Sequence, residues 1–147
     1  MDDIIISRIN SSSPEFGQLW DLREEVLRKP IGRSLKEDDL SRDYIDTFFI
    51  AQHNGKVIGC VGLHSLGGGV VQLRAMAIYN EWQGKGIGRK LVHAFERYAW
   101  ETGYQKIVLH ARKVALGFYR GMGYTVTSDE FTEVGIPHYM MAKGCLK

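Results

Sequence analysis

Asn80-Glu81-Trp82-Gln83-Gly84-Lys85-Gly86-Ile87-Gly88-Arg89-Lys90-Leu91 is the stretch on which the reading of this chain turns. Three glycines alternate with Lys85 and Ile87, and an amphipathic helical pattern (Ile87, Leu91, Phe95, Tyr98) begins at once. A helix N-terminus carries unpaired N–H groups and about half a positive charge. Glycines let an anion approach those groups, and Lys85 and Arg89 add full charges, so the stretch suits phosphate. A tight strand-to-helix turn needing glycine fits the local pattern equally well. Two nucleotide motifs are set aside: no Gly-Lys-Ser or Gly-Lys-Thr occurs, and the Gly84, Gly86, Gly88 spacing is not G-x-G-x-x-G.

Working outward, Val70 to Tyr79 reads as the strand before this loop. It follows Thr47 to Gln52 and Lys56 to Leu63, joined by His53-Asn54-Gly55, whose Asn-Gly pair tolerates positive φ and predicts a hairpin. Leu66 to Gly69 is a second turn. Upstream, Ile4 to Ile9 is a strand, and Ser13-Pro14 are N-cap and N1 of a helix that Pro30 stops. Lys36 to Asp46 is charged and weakly periodic, a candidate second short helix. Downstream, the helix after the glycines should end near Gly103, followed by a strand at Gln105 to Ala111 and a helix at Val114 to Met122. Tyr124 to Phe131 and His138 to Ala142 form a last pair of strands around Gly135-Ile136-Pro137. The order predicts one α/β (α+β) domain over 1–147, with a mixed, mostly antiparallel sheet of six to seven strands and helices on both faces.

Nineteen Lys and Arg against seventeen Asp and Glu leave +2 in 147 residues, too balanced for non-specific nucleic-acid binding. No apolar run approaches the ~20 residues of a membrane span, and Met1-Asp2-Asp3 lacks the start of a signal peptide. Cys60 and Cys145 show no metal-ligand spacing, and Cys60 sits in a strand-like stretch where a thiol is inert. The chain reads as a reduced, cytoplasmic protein without a metal.

Gln83-Gly84-Lys85-Gly86-Ile87-Gly88 fits Q/R-x-x-G-x-G/A, and Ala115 to Tyr124 (ALGFYRGMGY) fits A-x-x-F-Y-x-x-x-G-F/Y. With Arg74 to Ile78 as a fourth strand, these motifs resemble the GNAT superfamily of acyl-CoA-dependent N-acetyltransferases, in order from about Thr47 to the C-terminus. Leu22 to Gly32 and Phe131 to Met141 are similar to its ElaA-like bacterial branch.

The resemblance implies acetyl-CoA as co-substrate and a primary amine, on a small molecule or peptide, as acceptor. Gln83, Gly84, Lys85, Gly86, Ile87, Gly88 and Arg89 would then hold the pyrophosphate. Pantetheine would enter a gap between strands four and five against backbone groups of Met76, Ala77 and Ile78, near Phe118 and Tyr119. One amide there would face the thioester oxygen. Tyr119 takes the place of the acid that protonates the departing thiolate; without the motif it reads as a core aromatic. A base is needed because an amine of pKa ~10.4 is neutral about once in 2,500 molecules at pH 7, a gap of roughly 4.6 kcal/mol.

Some family members carry a basic Glu where this chain has Gln72, which cannot serve. Glu133, His138 and His110 are the alternatives, each also readable as a solvated or packing residue. Arg112 replaces a pantetheine-binding Asn, and either reaches the cofactor's phosphates or faces solvent. A non-catalytic acyl-CoA sensor is the alternative function, and a homodimer is plausible but rests on no sequence feature. The acceptor pocket is expected around Leu22 to Leu40 and Phe131 to Tyr139.

Overall fold

Alternation along Phe48-Phe49-Ile50-Ala51 buries all four side chains, Phe48 and Ile50 in one apolar cluster and Phe49 and Ala51 in another. A strand apolar on both faces needs cover on both, and that requirement organises the molecule. The computed structural model describes residues 3–145; Met1 and Asp2 of the acidic start lie outside them.

The elements run β1 (Ile4–Ile9), α1 (Phe16–Arg23), β2 (Thr47–His53), β3 (Lys56–Gly67), β4 (Val70–Ile78), α2 (Ile87–Glu101), β5 (Lys106–Arg112), α3 (Leu116–Arg120), β6 (Thr125–Val126), β7 (Phe131–Glu133) and β8 (Ile136–Gly144). All strands join one sheet in the order β1-β2-β3-β4-β5-β8-β6, with β7 paired to β8. Every pairing is antiparallel except β4 with β5.

On one face Leu19 and Leu22 of α1 meet Phe48, Ile50, Val57 and Cys60. On the other, Ile87, Leu91, Val92, Phe95 and Ala99 of α2 pack on Phe49, Ile58, Val61 and Leu109. All five α2 residues are at most 2% exposed, and burial of this kind contributes roughly 1.5–3 kcal/mol for each large side chain. Glu96, also on α2, takes the Tyr124 hydroxyl at 2.8 Å and Lys143 at 3.1 Å, tying α2 to β8. Among the described residues, no helix is long and apolar enough to cross a membrane.

The mixed sheet and the helices on both faces follow the pattern read from the sequence. Boundaries moved where local signals misled. Ser13 does not cap α1, since its hydroxyl accepts from Asn10 and the helix starts at Phe16. After Arg23 the chain does not stop but widens into a π-helical turn (Glu24–Arg28) and a 3-10 turn containing Pro30. The charged stretch Lys36 to Asp46 forms two 3-10 turns (Leu35–Glu37, Ser41–Tyr44), the first closed by a Ser34–Glu37 capping box. The stretch Tyr124 to Phe131 divides into β6 and β7. Ile136 and Pro137 belong to β8 rather than to the turn, because Val134 (φ 46) and Gly135 (φ 78) already reverse the chain. This division gives eight strands among the described residues.

Candidate active site

Parallel pairing of β4 with β5 runs only from Val70–Lys106 to Leu73–Leu109. Beyond that rung the strands part. The cause lies on the other edge of β4, where Cys60 faces Ala77 but Gly62 faces Arg74. Val61 therefore stands opposite two residues, Ala75 and Met76, a bulge that bends β4. Ala75 sits at φ 54, a conformation costing an L-residue roughly 1–2 kcal/mol. Its carbonyl accepts from the Cys60 thiol at 3.4 Å. Burial pushes that thiol up to about 12, so Cys60 is a packing group and not a nucleophile.

The glycine stretch lies between the end of β4 and α2. Gln83 Nε2 donates to the Ile78 carbonyl at 2.9 Å and so holds the loop against the strand. Gly84 (φ 76) and Gly86 (φ 81) both take left-handed backbone. Gly86 stands at the N-cap of α2 with no side-chain cap. Among the described residues, the backbone N–H groups from Gly84 to Arg89 donate to no carbonyl or side chain. Six consecutive donors without a partner thus lie at the positive end of a 15-residue helix, those of Gly84, Lys85, Gly86 and Arg89 on exposed residues and those of Ile87 and Gly88 on buried ones. Gly88 serves packing instead, since a Cβ there would lie 3.2 Å from both Ile78 Cδ1 and Phe118 Cζ. Its absence lets the α2 entrance close on the Phe118 ring. Lys85 lies 5.1 Å over the Trp82 ring, beside these amides.

On the α1 face the parted strands floor a cleft of about 790 Å³. Arg28, Leu35, Asp38 and Leu40 roof it, and Met76, His110, Tyr119, Glu133 and His138 stand along its walls. Both stretches expected to shape an acceptor pocket therefore line one cavity. Tyr119 is buried at the end of the cleft, edge-on to Phe118 and Tyr124. Burial raises its pKa, and its hydroxyl has no hydrogen-bond partner among the described residues. Such a phenol keeps its proton and can give it to a stronger base.

Glu133 joins two histidines. Its Oε1 lies 2.8 Å from His110 Nδ1, and its Oε2 lies 3.6 Å from His138 Nε2. The His110 hydrogen bond chiefly holds the Glu133 carboxyl below its ordinary range, against its partial burial. His138 Nδ1 lies 2.9 Å from the Ile136 carbonyl. A carbonyl only accepts, so Nδ1 carries a proton there, and Nε2 is the ring nitrogen that faces Glu133. Phe131 stacks on the His138 ring.

A buried ion network fixes the roof to the floor. Asp43 takes Arg23 at 2.9 Å and Arg74 at 2.8 Å, and Arg74 reaches Asp46 at 2.9 Å. Nearby stands Gln72, the residue in the place of the Glu base that the resemblance implied. Its amide oxygen accepts from Arg42 at 2.9 Å. An amide so engaged orients Arg42 and cannot take a proton from an amine.

Glu133, His138 and Tyr119 thus line one cleft, with Met76 on its wall and the Gly84–Arg89 amides beyond the end of β4. Two site residues depart from the cofactor roles implied by the resemblance. The Ile78 carbonyl is occupied by Gln83. Arg112 points to the α1 face, where its Nη2 donates to the Leu27 carbonyl at 3.0 Å, and no residue of the glycine loop is among its partners. Sequence reasoning missed the His110–Glu133 bond, which joins residues 23 positions apart. The available signal was that His110 and Arg112 share a strand face by alternation.

Against known proteins, the family model described as "Acetyltransferase (GNAT) family" matches residues 13–124. A Bacillus subtilis protein named as an acetyltransferase is 33% identical over 139 residues, covering 90% of this chain and 92% of its own. Among solved structures, one named as an N-acetyltransferase from Lactobacillus plantarum superposes with TM-score 0.82 at 26% identity, covering 99% of each chain. Escherichia coli ElaA gives TM-score 0.85 at 17% identity, over 96% of this chain and 99% of that one, a likeness of fold. Matches to a second B. subtilis protein and to human N-acetyltransferase 8B span 63% and 57% of those proteins.

Proposed function

The chain belongs to the acetyltransferase (GNAT) family, and we propose from that premise that it moves the acetyl group of acetyl-CoA directly to a primary amine held in the cleft. The observation that carries the reading is the row of unpartnered amides from Gly84 to Arg89, set just past the point where β4 and β5 part. Gly84, Lys85, Gly86, Ile87, Gly88 and Arg89 hold the pyrophosphate, and Gln83, whose donors are spent on Asn80 and Ile78, braces the loop that presents them. Pantetheine runs into the gap along Met76, Ala77 and the backbone N–H of Ile78, against Phe118.

In this reading each wall group has one role. Glu133, anionic and reachable from the cleft, draws in the ammonium form of the acceptor. His138 Nε2 takes the proton that makes the amine a nucleophile, and Glu133 lies on the side where the accepted proton sits. The nitrogen attacks the thioester carbonyl and a backbone amide of the bulged β4 steadies the oxyanion. As the C–S bond breaks, Tyr119 donates its proton to the thiolate. The acceptor is an amine of a small molecule or peptide. Two free cysteines, Cys60 and Cys145, fit a reducing compartment such as the cytoplasm.

A thiol-release assay with acetyl-CoA and a panel of primary amines tests the proposal. The enzyme liberates thiol only when an amine is present. A chain that binds the coenzyme tightly and releases no thiol with any amine is a sensor module instead.

A further inference from the structure

The Leu27 carbonyl, in the π-helical turn that follows α1, accepts from two guanidinium groups: Arg28 Nη1 and Arg112 Nη2, each at 3.0 Å. Two like charges converge on one oxygen at the cleft wall. The carboxylate beside them, Asp38, is bonded among the described residues to Arg28 alone, which holds it through Nε at 3.1 and 3.2 Å and Nη2 at 2.8 Å. Arg112 uses a single donor, and its remaining N–H groups have no partner among the described residues. Burial first, and the neighbouring Arg28 second, pull its pKa down, while Glu133 opposes them. A half-buried guanidinium left this way normally has a carboxylate beside it. Here the cleft fills that place.

We propose that Arg112, with Arg28 beside it, forms an oxyanion subsite of the acceptor cleft, so that the acceptor is a small amine carrying a carboxylate or a phosphate ester. This rests on the acetyl-transfer reading above and names the substrate class of the same site. The spacing supports a short molecule. His110, which binds Glu133, and Arg112 are two residues apart on one face of β5, a rise of roughly 7 Å. Arg112 is also the direct partner of His138 across β5 and β8. An ammonium at Glu133 therefore leaves room for only a few bonds before the anion meets Arg112. That is the reach of an amino acid or an amino alcohol phosphate. A polyamine would set a second cation against Arg28 and Arg112.

Two measurements test this separately from the reading it rests on. In the first, inorganic phosphate is titrated by calorimetry into the chain saturated with coenzyme A. The wild type binds it and Arg112→Gln binds about 10- to 100-fold more weakly, the loss of one charge-assisted contact. Absence of phosphate binding by the wild type, or equal binding by both, overturns the subsite whatever the acetylation result. In the second, acetylation of glycine and phosphoethanolamine is compared with that of glycine methyl ester, ethanolamine and spermidine. The charged member of each pair has the higher kcat/KM, and whether glycine or phosphoethanolamine leads names the oxyanion. In Arg112→Gln the preference collapses toward unity, and Arg112→Lys restores part of it. Higher kcat/KM for the ester, ethanolamine or spermidine overturns the proposal. Phosphate binding with no amine acetylated leaves the subsite standing and removes the acetyl-transfer reading. Coenzyme affinity and melting temperature of each variant identify any that fails to fold.

Discussion

Leu73 and Leu109 form the last rung between β4 and β5. Past them the Ala75 bulge turns β4 away, and one sheet acquires a gap that opens on the α1 side into the cleft and ends near the glycine loop. The site thus follows from one mispaired register, and the side chains around the gap carry the predictions.

Tyr119 holds its proton because it is buried, and its hydroxyl has no competing partner among the described residues. Tyr119→Phe keeps the ring packing and removes only the donor. Turnover should fall by about 100-fold, the lower end for loss of a general acid, while calorimetric affinity for coenzyme A stays within about twofold. Wild-type turnover across the pH range would remove Tyr119 from the acid role.

Among the described residues, Asp43 is the one carboxylate that Arg23 and Arg74 share, and all three are largely shielded from water. Asp43→Ala leaves Arg23 buried without a carboxylate and Arg74 with Asp46 alone, and should cost about 3–5 kcal/mol in urea unfolding. A loss below about 1 kcal/mol would mean that water reaches the network and carries the charges.

Gly88 lets Phe118 and Ile78 close on the start of α2. An added methyl pushes against two flexible side-chain ends, so the neighbours yield at a cost of about 1 kcal/mol. Gly88→Ala should lower Tm by about 2–4 °C and weaken coenzyme A binding, since the displaced ring borders the proposed pantetheine path. An unchanged Tm together with unchanged affinity would contradict the packing described.

Glu133 governs part of the acid sensitivity. Its folded pKa lies below its unfolded value, chiefly through the His110 bond. The resulting stabilisation is present above the unfolded value of about 4.3 and disappears as pH falls through the lower folded one. Because the side chain is half exposed, the contribution is screened to no more than about 1 kcal/mol. Glu133→Gln should flatten that part of the stability–pH curve measured by urea unfolding between pH 3 and 6. An identical curve for the variant would show that the bond does not form in solution.

What the sequence disclosed and what it withheld divide along the length scale of the interaction. Alternation in Phe48 to Ala51 and the 3.6-residue spacing of Ile87, Leu91 and Phe95 are local, so the two-faced sheet and its helices were legible. The glycine stretch was equally legible, because positive φ and an uncapped helix start are backbone properties. Long-range side-chain pairing was not. Nothing local joins Arg112 to Leu27, 85 positions away, or Arg42 to Gln72. Those contacts arise only when the roof segment folds over β4 and β5. The same segment defeated the helix expected at Lys36 to Asp46, whose charges are used in turns and ion pairs rather than along a helical stripe.

The most direct test of the whole account is an amide NMR titration with coenzyme A. The N–H resonances of Gly84 through Arg89 should move together and saturate at one equivalent, with adenosine 3′-phosphate 5′-diphosphate, which keeps the diphosphate, reproducing most of the movement at lower affinity. Tight binding that leaves those six amides unmoved, or no binding at all, would contradict it.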